Sequence, residues 1–90
     1  MILIDLYIEI EKNFPRIKKF FTEKTLLEFS HTPPGCLEKY NFGLGTMIRL
    51  KLLKPKSVLY KKFIQNGFTD KEKMTMEIIK AFYTSIQRRI

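Results

Sequence analysis

The first dozen residues carry apolar side chains in a pattern that fits either a strand or a helix. Apolar residues occupy every second position over residues 2–10, which is the period of a β-strand. One helical face would also hold Leu3, Leu6, Tyr7, Ile10, Phe14 and Ile17. No second strand of comparable quality follows, and a lone strand has nothing to pair with. The pattern therefore favours a helix over about residues 2–13 that ends or kinks at Phe14-Pro15, because the residue before a proline avoids the helical region.

The stretch after this proline predicts one or two short helices and then a break. The helices would bury Ile17, Phe20, Phe21, Leu26, Leu27 and Phe29. The clearest break in the chain is His31-Thr32-Pro33-Pro34-Gly35. Thr32 before Pro33 is typical of a helix start, since a proline in the first turn loses no hydrogen bond. We therefore expect a further helix, capped by Thr32, that runs through Leu37 and Tyr40.

Two glycines, Gly43 and Gly45, flank Leu44 in the middle of the chain. Each costs about 1 kcal/mol in a helix interior relative to alanine. They therefore indicate either a break in the chain or a neighbouring helix that comes too close for a side chain. The helix that follows would end at Lys54-Pro55 and bury Leu44, Met47, Ile48 and Leu52.

Start and stop signals define the last two helices. Ser57 is a good N-cap for the first of them, which would bury Leu59, Phe63 and Ile64. Gly67 suits the left-handed position after the helix end, where Phe68 can fold back on the last turn. Thr69 and Glu72 have the spacing of a capping box that opens a final helix over about residues 70–89. That helix would bury Met74, Ile78, Ile79, Phe82, Tyr83 and Ile86 and carry Arg88 and Arg89 in its last turn. The sequence thus predicts an all-α fold, with residues 1–90 forming a single compact domain of five or six short helices and a long C-terminal helix.

Charge changes this picture because it is concentrated in one place. The net charge is +8, yet residues 1–38 hold five basic and six acidic groups. Residues 39–69, called here the central basic segment, hold seven basic groups and no acidic group. A field of one sign over this length attracts anionic partners. The candidate partner-binding residues are Arg49, Lys51, Lys54, Lys56, Lys61 and Lys62. A solvated surface with no partner is the alternative interpretation.

Catalytic and metal-binding patterns are weak. Cys36 lies five residues from His31, the chain's one histidine, and no third group is identifiable that would orient a nucleophile and its base. One Cys and one His cannot supply the four ligands of a structural zinc site. The segment with Gly43 and Gly45 lacks the third glycine and the Gly-Lys-Ser/Thr of phosphate-binding loops. We therefore predict no catalytic residue, no metal and no cofactor.

Compartment and membrane signals are equally sparse. A single cysteine fits a reducing, cytosolic setting. No apolar stretch approaches the ~18 residues that suggest a membrane span, and no basic region precedes an apolar one as in a signal peptide. We therefore expect a cytoplasmic protein that does not act at a membrane.

The segment Tyr40–Arg49 resembles the centre of a family of small bacterial proteins of unknown function. The pattern of that family is roughly Y-H-F-G-L-G-x-W-I-R-N-N, followed by a helix that ends in glycine and by a methionine-containing final helix. The resemblance covers about residues 23–88. Asn41, Met47 and Leu50-Lys51 stand where the family has histidine, tryptophan and paired asparagines. The resemblance implies a small helical domain and supplies no activity.

These observations favour a small, non-enzymatic binding module that acts on a protein partner with an acidic surface, as an adaptor, an inhibitor or an immunity-like protein. The alternative is a nucleic-acid-binding protein whose central basic segment contacts phosphates. Lysines outnumber arginines 13 to 4, and specific phosphate or base recognition favours the forked guanidinium. A small enzyme ranks last.

Overall fold

The computed structural model describes residues 2–88, with side chains from Ile4 onward. Six α-helices and one 3-10 helix follow one another without a strand in this part of the chain, which confirms the all-α prediction. The α-helices are α1 (Ile2–Lys12), α2 (Phe14–Lys18), α3 (Glu23–Ser30), α4 (Gly43–Lys51), α5 (Val58–Gln65) and α6 (Lys71–Arg88), and the 3-10 helix is Pro34–Asn41. The predicted long C-terminal helix is α6. The predictions that the Leu3 side chain lies on the inner face of the first helix and that Arg89 lies in the last turn of the final helix concern positions that the structure does not describe.

The first segment is a helix, and its apolar residues are divided between a buried face and an exposed face. Leu6 and Ile10 are fully buried, whereas Ile4 and Ile8 of the same alternating set are exposed. A strand would have placed all four on one side. Asn13 lies between α1 and α2, and its side-chain amide donates to the carbonyl oxygen of Glu9 at 2.9 Å. The predicted end near Phe14-Pro15 is therefore confirmed in position, but Phe14 itself is helical, because Pro15 lies in the first turn of α2.

The start of the 3-10 helix differs from the predicted one. Thr32 does not cap it; the preceding residue is Pro33, in an extended conformation with φ −61° and ψ 142°. The Thr32 side chain turns back instead, donating to the carbonyl oxygen of Glu28 at 3.0 Å and meeting the Tyr40 hydroxyl at 3.0 Å. Thr32 is buried, so its hydroxyl is used inside the core. The predicted helix through Leu37 and Tyr40 exists, but with the tighter 3-10 winding.

Two of the predicted helix ends are confirmed and one is shifted. The Ser57 hydroxyl accepts from the Tyr60 N–H at 3.0 Å. Gly67 has φ +87°, and the Phe68 N–H donates to the carbonyl oxygen of Phe63 at 3.0 Å, as in a Schellman motif. At the start of α6, however, the side chain of Asp70 and not of Thr69 accepts from the Glu72 N–H, at 2.8 Å.

Helix α6 lies at the centre of the packing, in contact with α1, α3, α4 and the 3-10 helix. Its predicted inner face is buried at Met74, Ile78, Ile79, Phe82 and Tyr83, and Ile86 is half-buried. The Tyr83 hydroxyl donates to the carbonyl oxygen of Thr32 at 2.6 Å. Three other predicted core residues, Leu27, Met47 and Ile64, are 59%, 37% and 44% exposed. All three lie on helices whose inner face is already filled by other apolar residues, so they remain in solvent.

A hydrogen bond from the Tyr7 hydroxyl to the Glu77 carboxylate joins α1 to α6. This bond, together with burial and the negative charge of Glu77, raises the pKa of Tyr7 to about 12. The bond favours the protonated phenol, because only the O–H can donate to the carboxylate.

We predict that ionisation of Tyr7 weakens the fold between about pH 10 and about pH 12. A tyrosine whose pKa is raised on folding contributes stability that is present below its ordinary pKa and lost as the pH rises through the folded-state value. Tyr7→Phe should therefore show a smaller fall in the free energy of unfolding across this range than the wild-type chain. Denaturant unfolding at a series of pH values measures the difference. Equal slopes for the two proteins would contradict the prediction.

Glu77→Gln supplies the matched control. It keeps an acceptor for the Tyr7 hydroxyl and removes the charge, so the pKa of Tyr7 should fall towards its ordinary value. A spectrophotometric titration that compares Glu77→Gln with the wild-type chain reports this shift.

Candidate functional site

Five of the six lysines of the central basic segment lie on α4, on α5 and on the connection between them, and the sixth, Lys39, lies on the 3-10 helix. Lys51 ends α4, Lys54 and Lys56 belong to the connection, and Lys61 and Lys62 lie on α5. All are exposed except Lys62, which is half-buried. Across residues 4–88 the one side-chain ion pair joins Lys12 to Glu9, at 3.8 Å. The positive charge of these five lysines is therefore not neutralised by the described part of the chain.

A closed turn holds Lys54 and Lys56 in place. The Ser57 N–H donates to the carbonyl oxygen of Lys54 at 2.9 Å, which closes a four-residue turn with Pro55 at its second position, a favoured place for proline. The Ser57 hydroxyl donates to the carbonyl oxygen of Leu52 at 3.0 Å. Because Ser57 also caps α5, one residue fixes both the turn and the start of the next helix.

Arg49 differs from the lysines because its guanidinium bonds to the protein itself. Its Nη1 and Nη2 donate to the side-chain and main-chain oxygens of Asn41, both at 2.9 Å. Weaker contacts of 3.4 Å reach the hydroxyls of Thr46 and Thr75. Arg49 thereby links the end of the 3-10 helix to α4 and α6. Its predicted contact with a partner stays a prediction, but the structure gives its guanidinium a structural role.

Gly45 makes room for this arrangement. A Cβ atom on Gly45 would lie 3.0 Å from Cγ2 of Thr75 and 3.2 Å from both Nη1 of Arg49 and Oδ1 of Asn41. The close approach expected for the glycine pair is therefore real at this position. It is not found at Gly43, where a Cβ would meet no atom within 4 Å, because Gly43 begins α4 on the exposed side.

Two features of this surface were not predicted from the sequence. Arg16, on α2, donates from Nη2 to the carbonyl oxygen of Lys51 at 3.2 Å, so a further cation lies at the C-terminal end of α4. The outward side of α4 carries Phe42, which is 77% exposed, and Leu50, which is 61% exposed. The position of Arg16 has no sequence signal, since 35 residues separate it from Lys51. The apolar surface could have been found by plotting α4 as a helix with two apolar sides.

The other candidate chemical groups are the side chains of His31 and Cys36. Nδ1 of His31 lies 3.0 Å from the carbonyl oxygen of Leu27, and Cys36 is an exposed free thiol. No group of three potential metal ligands comes together within the part of the chain that the structure describes. None of the helices described is both long and apolar enough to cross a membrane.

The fold and the surface define a small helical domain with a basic centre, and comparison with known sequences places it in a family. Residues 9–86 match a family described as a domain of unknown function (DUF6794), and the protein belongs to this family. No curated protein and no solved structure matches the chain. Membership of an uncharacterised family agrees with the resemblance at Tyr40–Arg49, while the motif correspondences and the bacterial origin stay predictions.

We predict that Gly45→Val destabilises the protein and that Gly43→Val does not. The added side chain at position 45 must displace Thr75 or the Asn41–Arg49 pair, at a cost of about 1–3 kcal/mol, which is typical of overpacking. At position 43 the space is open, and the change should stay within about 0.5 kcal/mol. Denaturant unfolding of both variants measures the two costs. Similar losses for both variants would contradict the assignment of Gly45 as the close-packed glycine.

Proposed function

We propose that this protein is a non-enzymatic, cytoplasmic binding module for a protein partner with an acidic surface. The observation that carries the proposal is the unneutralised charge of the central basic segment, which holds no acidic residue. Such a surface speeds the encounter with an anionic partner and disfavours basic ones. The exposed free thiol of Cys36 suits a reducing compartment. An adaptor, an inhibitor and an immunity-like protein all act in this way.

Nucleic-acid binding is the second candidate, supported by the same lysines. Two observations favour a protein partner over it. Arg49, the one arginine in the central basic segment, bonds within the chain, whereas specific phosphate and base contacts favour the guanidinium. Lys51 also adjoins an exposed apolar side chain, Leu50, for which a phosphate backbone offers no complement.

The structure changes which substitutions test this proposal. Arg49→Glu would break the bonds to Asn41 and place a carboxylate beside that residue's side-chain oxygen, so loss of binding would not be separable from loss of fold. Lys54, Lys56 and Lys61 are exposed and make no side-chain hydrogen bond or ion pair within residues 4–88. Their reversal changes the surface charge alone.

We predict that the triple reversal Lys54→Glu, Lys56→Glu and Lys61→Glu weakens partner capture at least about tenfold. Three rim charges at about 0.5 kcal/mol each supply this loss. The measurement is a tagged pull-down from the source cells at two salt concentrations, with protein and nucleic acid both identified, followed by affinity measurement on the captured partner. The matched control reverses three exposed lysines of the N-terminal third: Lys18, Lys19 and Lys24.

The control should retain capture within about threefold, although its net charge changes by the same amount. Equal losses in both variants would show that net charge alone, and not the central basic segment, governs binding. Capture of nucleic acid, with an affinity that falls with salt at a slope of about −0.9 for each phosphate neutralised, would replace the proposal by its alternative.

A further inference from the structure

Helix α4 carries apolar side chains on both of its sides. Leu44 and Ile48 face the core and are buried. On the opposite side Phe42, Met47 and Leu50 are exposed. Exposed apolar side chains that lie together on a surface are typical of interaction sites. The solvent side of α4 therefore has the composition of a surface that is buried in use.

These three exposed residues, Phe42, Met47 and Leu50, form one strip, called here the outer face of α4. Met47 and Leu50, three residues apart, lie on the same side of α4, and Phe42, the residue before the helix, is two turns from Leu50, so the strip runs for about 12 Å. Gly43 and Thr46, which lie among them, are also exposed and are uncharged. The strip is therefore free of charge along its length and is accessible from solvent.

Cations stand at one end of this strip. Lys51 is exposed at the C-terminal end of α4, and the closed turn holds Lys54 just beyond it. Arg16 reaches the same end from α2 through its bond to the carbonyl oxygen of Lys51. A partner that covers the outer face of α4 would therefore contact apolar side chains along the face and positive charges at one end of it.

We propose that the outer face of α4 is a docking surface for an amphipathic helix of an acidic protein partner. The proposal rests on the protein-binding function proposed above and names the site and the kind of ligand. Apolar side chains of the partner, spaced at three and four residues, would cover Phe42, Met47 and Leu50, in the manner of two packed helices. Carboxylates beside that apolar stripe would pair with Lys51 and Lys54.

Other occupants fit the outer face of α4 less well. A β-strand would need an open sheet edge, and residues 2–88 contain no strand. A nucleic acid could stack a base on Phe42, but it has no complement for Met47 and Leu50. A second copy that used the same face would bring together two molecules that each carry a net charge of +8, with no acidic group between residues 39 and 69 to pair with the lysines. An acidic amphipathic helix satisfies both the apolar strip and the charge.

The test uses designed peptides with the full-length protein. The acidic probe is a helical peptide of about 18 residues, or about five turns, with leucines on one face and glutamates along its borders. In a neutral probe glutamines replace the glutamates, and a third probe has the acidic composition in scrambled order. Binding is measured by fluorescence anisotropy, and the contacted residues are read from amide chemical-shift changes.

The acidic probe should shift the amide signals of residues 42–54, and it should bind at least about tenfold more tightly than the neutral or the scrambled probe.

Phe42→Ser and Leu50→Ser should each weaken this binding about tenfold or more, because each removes an exposed apolar contact. Both side chains are exposed, so circular dichroism and melting curves should match those of the wild-type chain. The double variant Ile4→Ser, Ile8→Ser is the matched control: it removes two exposed apolar residues from α1 and should leave binding within about twofold.

Four outcomes would overturn the proposal. Absence of shifts at α4 with every probe would remove the docking surface while leaving partner capture through the lysines intact. Equal binding of the acidic and scrambled probes would mean that charge alone is recognised. A single-stranded oligonucleotide that shifted residues 42–54 in place of the peptide would make the ligand a nucleic acid. Concentration-dependent dimerisation that Leu50→Ser abolishes would make the occupant a second copy of this chain. Failure of the pull-down, by contrast, bears on the proposed function and not on these peptide measurements.

Discussion

The burial of one face of α6 is the constraint on which the rest of the molecule depends. Helices α1, α3 and α4 and the 3-10 helix all pack against α6, the ring centroids of Phe14 on α2 and Phe82 on α6 are 5.4 Å apart, and α5 packs against α1. A chain of ninety residues has room for a single core. Each fully buried large apolar side chain contributes about 1.5–3 kcal/mol to that core. Loss of α6 would therefore remove the surface against which α1, α3, α4 and the 3-10 helix bury their apolar side chains.

The same constraint explains which apolar residues are left outside. One central helix offers a limited surface, so each neighbouring helix can bury only one side against it. Ile8 on α1, Leu50 on α4 and Ile64 on α5 lie on sides that point away from the core and are exposed. Ile8 stands beside the acidic residues Asp5 and Glu9, whereas Leu50 adjoins the exposed Lys51 and lies one turn from the exposed Met47. The neighbours of an exposed apolar residue in the fold, more than its hydropathy, thus indicate whether it belongs to a candidate interface.

Features set by nearby residues could be predicted from the sequence, and features set by distant ones could not. The Ser57 cap and the Gly67 helix end depend on atoms within five residues, and both were predicted correctly. The caps at Thr32 and Thr69 were wrong because neighbouring residues compete for the same role, and the burial of Thr32 or the geometry of Asp70 decides between them. These competitions are resolved by packing, which a local pattern does not contain.

The candidate site shows the same division. Its charge was visible in the sequence, because the absence of acidic residues from 39 to 69 needs no fold to be seen. The different roles of Gly43 and Gly45 depend on Thr75, a residue on another helix. Likewise, the separation of Arg49 from the lysines depends on Asn41 and Thr75. The amino-acid composition was therefore enough to locate the basic surface. Tertiary contacts were needed to distinguish the residues that pack within the fold, Gly45 and Arg49, from the exposed lysines.

The turn at Lys54-Pro55-Lys56-Ser57 has a consequence for how tightly this surface can hold a ligand. Hydrogen bonds to Lys54 and Leu52 and the cap of α5 all meet at Ser57, so the main chain is fixed before any partner arrives. Ordering a free segment costs about 1–2 kcal/mol for each residue's backbone, and this cost does not fall on complex formation here. Only the rotamer freedom of the lysine side chains is given up. The surface is thus preorganised, so a small contact area loses less of its interaction energy to conformational entropy when a ligand binds.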